Sequence, residues 1–229
     1  GGDSGALRLA VHKKEPDIRY VVKSESPELA CNEFMHRCVT AALGLHTLDV
    51  RLFRPAPSLR HAVGIRYRED LRAVGPPPYQ ESLLRDLAAF QTLFVILTGE
   101  DSEEYCLLPD GAMIKLDNAA SFNLGPLQAG RVCSGPDGAA DALLTNALAF
   151  TEYNKYPIQL GLLTERYGEA GHAASLALFR RFADLDTASL EGALDALDEV
   201  YPTDISAYFD AFLDSRRELC ARFLAGCGG

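Results

Sequence analysis

Residues 73–79 hold Gly75 and three consecutive prolines, Pro76, Pro77 and Pro78. Three fixed φ angles and three missing N–H donors stop any helix or central strand, so the chain must fold as two parts on either side. Before the breaker, residues 7–13 and 18–23 read as strands joined by a turn at Glu15-Pro16-Asp17. A helix then starts at Ser26 or Pro27, carries Leu29, Phe34, Val39 and Leu43 at its apolar positions, and stops at Gly44 as a C′ residue. Strands over residues 48–53 and 62–67 complete a small mixed lobe. After the breaker, Leu83, Leu84, Leu87, Phe90, Phe94 and Val95 recur at helical spacing and predict a buried helix. A polar loop over 99–105 leads into a hairpin of residues 106–108 and 113–116, turned by Pro109-Asp110-Gly111. Residues 118–141, rich in Gly, Pro and Ser, read as a long mobile loop. Helices are expected near 142–150, 158–167, 172–182, 189–200 and 204–224. The expected fold class is α+β and bilobal: a small mixed lobe (1–72), the breaker (73–79) and a large, mainly helical lobe (80–229).

Composition narrows the partners. With 22 basic against 32 acidic side chains, the 229-residue chain carries a net charge of −10. Such a surface repels phosphate backbones and anionic membranes, which argues against direct nucleic-acid or membrane binding and favours a basic protein partner. The six cysteines form no CxxC pair and no zinc-spaced Cys/His cluster, so they read as reduced thiols of a cytoplasmic protein. Neither a signal peptide nor a run of about eighteen apolar residues is visible.

Four residues form a chemically coherent series. Lys23 ends an apolar strand, Glu33 follows on the next helix, Asp101 lies in the loop after the buried helix, and Asp117 closes the second hairpin strand. Phosphoryl transfer is mostly positioning and charge neutralisation. It needs a lysine on the phosphates, a carboxylate holding that lysine, a base and a metal ligand. Each residue also has an ordinary reading. Lys23 suits a solvated strand edge, and the acidic run from Gly99 to Glu104 suits an exposed loop. A carboxylate ending a buried strand, as at Asp117, is costly unless paired or bound to metal. Ser4 and Gly5, in the glycine-rich segment before the first strand, could cradle phosphates through backbone N–H groups, although the segment matches neither GxGxxG nor a Walker A loop. The five histidines lie far apart and read as surface or core residues.

From about Ser4 to Leu224 the chain resembles the HipA-like serine/threonine kinases, the toxin kinases of bacterial toxin–antitoxin systems. The resemblance rests on Tyr20-Val21-Val22-Lys23, Asn32-Glu33-Phe34, and Leu107–Gly111 leading into Ile114-Lys115-Leu116-Asp117-Asn118. The Leu-Asp-Asn-Ala-Ala-Ser-Phe segment from Leu116 and a closing helix with Ser215-Arg216-Arg217 complete it. It implies a protein-kinase-like fold using ATP and Mg²⁺ on a protein substrate, with a helix-turn-helix antitoxin as a possible partner. By carry-over, Lys23 contacts the α/β-phosphates, Glu33 orients it, Asp101 is the base and Asp117 holds the metal. At 229 residues there is no room for the separate amino-terminal subdomain of longer HipA toxins, so the likeness is to a short form. One departure stands out. The family places an Asn five residues after the catalytic Asp as second metal ligand, and here that position is Cys106, a thiol ill suited to Mg²⁺. Glu103 or Glu104 could take its place. The alternative is a pseudokinase that binds nucleotide or a partner without transferring phosphate; a small-molecule or lipid phosphotransferase and a plain helical interaction domain are further rivals.

Overall fold

The computed structural model describes residues 6–24, 26–54, 62–99, 104–122, 155–201 and 205–227. The small lobe is a four-stranded antiparallel sheet of β1 (Ala6–Val11), β2 (Arg19–Ser24), β3 (Val50–Phe53) and β4 (Ala62–Arg66), in the order β1-β2-β4-β3. Helix α1 (Pro27–Ala42) crosses between β2 and β3. Its start follows the sequence: the Ser26 side chain accepts from the Leu29 amide at 3.4 Å, and Pro27 occupies the first turn, where no N–H is needed. Its end is closed by Gly44 at φ +69, and Arg181 donates from the other lobe to the Leu43 carbonyl at 2.7 Å.

Strand register sorts the sheet into two faces. Lys23 lies opposite Leu7 on one side and Val63 on the other, so Leu7, Leu9, Val11, Val21, Lys23, Val63 and Ile65 share the face turned toward α1. The opposite face has its own small core of Tyr20, Val22 and Ala62, backed by Phe53 edge-on to Tyr20 at 6.5 Å. Gly64 sits on this face because Phe53 leaves no space: a Cβ there would come within 2.4 Å of the ring.

A short strand, β5 (Arg72–Ala73), precedes the proline run and pairs with the hairpin β6 (Tyr105–Leu107) and β7 (Met113–Lys115). It was not expected, because the breaker reading took in Ala73. Helix α2 (Glu81–Ile96) packs along α3 (Lys155–Ala183), which is interrupted at Gly168 (φ +66) into the two helices that the periodicity predicts. A 3₁₀ turn (Thr187–Leu190), α4 (Glu191–Val200) and α5 (Ile205–Gly226) complete the helical lobe. The predicted helix at 142–150 and most of the predicted loop at 118–141 lie outside the described residues. No helix among the described residues is long and apolar enough to cross a membrane.

The main core does not respect the lobe division. Ala30, Cys31, Phe34, Met35, Val39 and Leu43 of α1 share one cluster with Phe179 and Phe182 of α3 and with Tyr208, Phe209, Phe212 and Phe223 of α5. Helix α1 is therefore sequence-wise part of the small lobe and energetically part of the large one.

Candidate functional site

The polar face of α1 meets the end of β7 under the sheet, and there three of the sequence-selected residues converge. The Lys23 ammonium lies 3.4 Å from Glu33 Oε2 and 3.2 Å from Asp117 Oδ1, bridging the two carboxylates. Glu33 is fully buried, the Lys23 side chain is 14% exposed and that of Asp117 is 33% exposed. The series thus runs from a dry anchor to a solvent-reached carboxylate within a few ångströms.

An ionised carboxylate with no exposure needs more than one partner. Glu33 has four. Arg37, one helical turn on, donates from Nε to Oε1 at 2.6 Å, and Lys23 pairs with Oε2. The Asn118 backbone amide donates to Oε2 at 2.9 Å, and its side-chain amide to Oε1 at 3.2 Å. Burial pushes the Glu33 carboxyl up, but Arg37, then Lys23, then both Asn118 hydrogen bonds outweigh it and hold the group below its ordinary value. Glu33 is ionised at neutral pH.

Arg37, itself 1% exposed, also donates to the Leu116 carbonyl, reaches the Thr47 hydroxyl at 3.3 Å and lies 3.5 Å from the Lys115 carbonyl. Asn32 Nδ2 donates to the Ala119 carbonyl at 2.8 Å. Lys115, buried at 4% exposure, donates to the Asp117 backbone carbonyl and stands over the Phe94 ring. Asp117 Oδ1 takes both Lys23 and the Ala119 amide (3.4 Å), leaving Oδ2 out of both contacts. His36 is buried beside this network, and burial, then Lys115, then Arg37 hold its imidazole well below its ordinary value. It is a neutral histidine bonded to Thr40, as the sequence reading of core histidines expects.

The segment after Asp117 is pinned. The Phe122 amide donates to the Leu97 carbonyl at the end of α2 (2.7 Å), and Tyr208 donates to the Phe122 carbonyl (2.6 Å). Phe122 has no exposure and packs edge-on against Phe209 and Phe212. Phe122 thus both anchors the segment and belongs to the core. Phe122 (φ +64) and Thr98 (φ +54) are non-glycine residues in the left-handed region, each costing about 1–3 kcal/mol, and they flank this junction.

Cys106 lies within a strand and not in the preceding loop. It pairs opposite Ile114 within the β6–β7 ladder and packs with Leu48, Ile65 and Ile114. Burial, then the charge of Glu104, pushes its thiol up, so the thiolate that a metal would require is disfavoured. Counting five residues from Asp101 overruns the loop. Counting back along the hairpin reaches Glu104, whose carbonyl accepts from the Leu116 amide at 2.9 Å and whose side chain is exposed. Ser4, Gly5, Asp101 and Glu103 lie outside the described residues. Arg37 escaped sequence reading, and Asn32 and Asn118, quoted there for the family resemblance, were given no role. The i, i+4 spacing of Glu33 and Arg37 on one helix face was the available signal.

The residues present suit a nucleotide with a hard cation. Asp117 offers a solvent-reached carboxylate oxygen, which Mg²⁺ accepts. Lys23 offers a cation beside it. On the same sheet face Leu7, Leu9 and Val11 are 53–57% exposed, an apolar surface of the kind a planar base covers.

No protein-family model and no curated protein sequence matches the chain. Solved structures do. The Helicobacter pylori proinflammatory kinase CtkA matches over 98% of this chain and 93% of its own, with a TM-score of 0.65 at 11% identity. HipA from the Shewanella oneidensis toxin–antitoxin complex with HipB and operator DNA matches over 98% of this chain and 66% of its own, with a TM-score of 0.49 at 12% identity. The likeness to CtkA spans nearly the whole of both chains, and the chain has a kinase-like fold.

Proposed function

We propose that this chain is an ATP- and Mg²⁺-dependent HipA-like protein kinase that phosphorylates serine or threonine. The observation that carries the reading is the Lys23 ammonium held between buried Glu33 and solvent-reached Asp117, at 3.4 and 3.2 Å, on a kinase-like fold. Lys23 would reach phosphate oxygens while Glu33 fixes its direction. Asp117 would hold the metal, which would supply positive charge to offset that of the phosphates. Its present pairing with Lys23 balances its charge until a cation arrives. Glu104, rather than Cys106, is the described residue with the chemistry of a second metal ligand. Asp101 is proposed as the base on its sequence position. The resemblance at Leu116–Phe122 extends the proposal to a helix-turn-helix antitoxin partner.

The test is incubation with radiolabelled ATP and Mg²⁺ or Mn²⁺, with cell lysate and a basic model substrate, alongside thermal-shift titration of ATP. Wild type should label protein and gain stability of about 2.7 kcal/mol at one hundred times the dissociation constant. Lys23→Met and Asp117→Asn should remove labelling, and Asp117→Asn should remove the metal dependence of nucleotide binding. Binding without labelling makes the protein a nucleotide-binding pseudokinase. The absence of both binding and labelling would refute the reading.

A further inference from the structure

Glu33 has a stronger partner than the lysine it is proposed to orient. Arg37 Nε lies 2.6 Å from its carboxylate, against 3.4 Å for Lys23 Nζ. Arg37 is also the side chain that leaves the helix. The guanidinium reaches the carbonyls of Leu116 and, at 3.5 Å, Lys115, the two residues preceding Asp117. Asn118 returns two hydrogen bonds to Glu33, and Asn32 holds the Ala119 carbonyl. Helix α1 is thus tied to residues 115–119 on both sides of Asp117. We propose that Arg37 is a positioning residue that clamps α1 to the end of β7 and keeps Lys23, Glu33 and Asp117 assembled before any ligand binds.

Two physical consequences set this role apart from ordinary ion pairing. Lys23 must exchange part of its contact with the carboxylates for phosphate if it is to act on a nucleotide. With Lys23 alone as counter-ion, that movement would strand a buried anion. With Arg37 in place Glu33 stays neutralised, so Lys23 can turn without a desolvation penalty at Glu33. The second consequence concerns regulation. An outward swing of α1 that separated Glu33 from Lys23 would also break the ties to Leu116, Asn118 and Ala119 and expose the apolar face that α1 contributes to the main core. The site is therefore constitutively assembled and is not switched by displacing this helix. Lysine cannot replace Arg37, because a single ammonium does not span the carboxylate and the carbonyls as a planar fork does.

The ligand-binding part of this inference rests on the kinase reading; the clamp itself does not. The experiment compares wild type, Arg37→Lys and Arg37→Met at a temperature where circular dichroism shows each to be folded. Arg37→Lys keeps a charge beside Glu33 and so covers the case in which Arg37→Met does not fold. Hydrogen exchange of the ligand-free proteins reads the clamp: amides 115–119 should lose on the order of tenfold more protection than those of α5, which report the global loss of stability. Binding of the ATP analogue AMP-PNP with and without Mn²⁺ reads the site. The Mn²⁺-dependent part should weaken on the order of 10–100-fold, the loss expected when a group supporting a metal ligand is removed, and metal-free binding should change little. A role in stability alone would lower the unfolding temperature, raise exchange at 115–119 no more than at α5 and leave Mn²⁺-dependent binding by folded protein unchanged; that result overturns the proposal. If wild type binds no AMP-PNP, the kinase reading fails, and the exchange measurement still decides the clamp.

Discussion

Replacing Glu33 by Gln removes one negative charge from a site with no solvent access, while keeping the side chain's shape. The larger loss falls on Arg37, 1% exposed and 2.6 Å away, which becomes a buried cation without its carboxylate. Removing one member of a buried pair costs about 3–5 kcal/mol. Lys23 loses less, because its side chain already reaches water. Gln keeps one oxygen, but its NH₂ then meets either Arg37 and the Asn118 side-chain amide or Lys23 and the Asn118 backbone amide, donor against donor. The net cost should sit near the lower bound, about 3 kcal/mol, a fall in unfolding temperature of roughly 6–12 °C for a chain of this size. Thermal and urea unfolding at pH 7 measure it. The pH dependence adds a second check. The folded-state value of Glu33 is lowered below 4.5, so its contribution is fully present above about 4.5 and is lost as pH falls through the lower native value. The gap between wild type and Glu33→Gln should therefore close in acid. The double variant Glu33→Gln/Arg37→Met should be less destabilised than the sum of its parts. A Gln variant within about 2 °C of wild type at pH 7, or a gap that persists unchanged at low pH, would refute the charge argument.

Cys106→Asn should leave the metal dependence of nucleotide binding unchanged and cost about 1–3 kcal/mol, because the amide replaces a thiol packed on Ile65 and Ile114; Glu104→Gln should weaken metal dependence instead, as read by Mn²⁺ titration. Native His36 stays neutral while the unfolded residue protonates below about 6.5, so stability should fall by up to ~1.4 kcal/mol per pH unit beneath that value. His36→Leu should flatten this part of the pH–stability curve, and an unchanged slope would place the protons elsewhere. Tyr208→Phe leaves the buried Phe122 carbonyl without its donor and should cost about 1–3 kcal/mol in urea unfolding.

The small lobe and its first two site residues were legible because local signals agreed. Alternation marked β2, Ser26-Pro27 marked the start of α1, and ten residues later the same helix presented Glu33 to the strand lysine. Asp117 was legible for a similar reason: the Pro109-Asp110-Gly111 turn fixes the hairpin, and Asp117 lies two residues past the end of its second strand. Counting five residues forward from Asp101 reaches Cys106, which the structure places within β6, because spacing through a loop carries no register, whereas each step back from the turn fixes a face. Arg37 stayed hidden because arginine on a helix is ordinarily a surface residue. Only the tertiary approach of β7 shows that this face is dry. The strand β5 is two residues long and owes its existence to pairing with β6, which no local propensity signals. The fold implied by the family resemblance agrees with the CtkA likeness.

Helix α1 turns one face to the charged cluster and the other to the phenylalanines of α3 and α5. A helix built this way has no private unfolding route. Its amides can exchange with solvent only when the main core opens, so their protection should match that of α5 and approach the global limit. Severing the chain at the proline run should yield no independently folding small lobe, because the sheet would carry with it a helix whose apolar side had lost its cover. Substitutions far from Lys23, at Phe179 or Phe212, should therefore change the geometry at Glu33 as readily as they change melting.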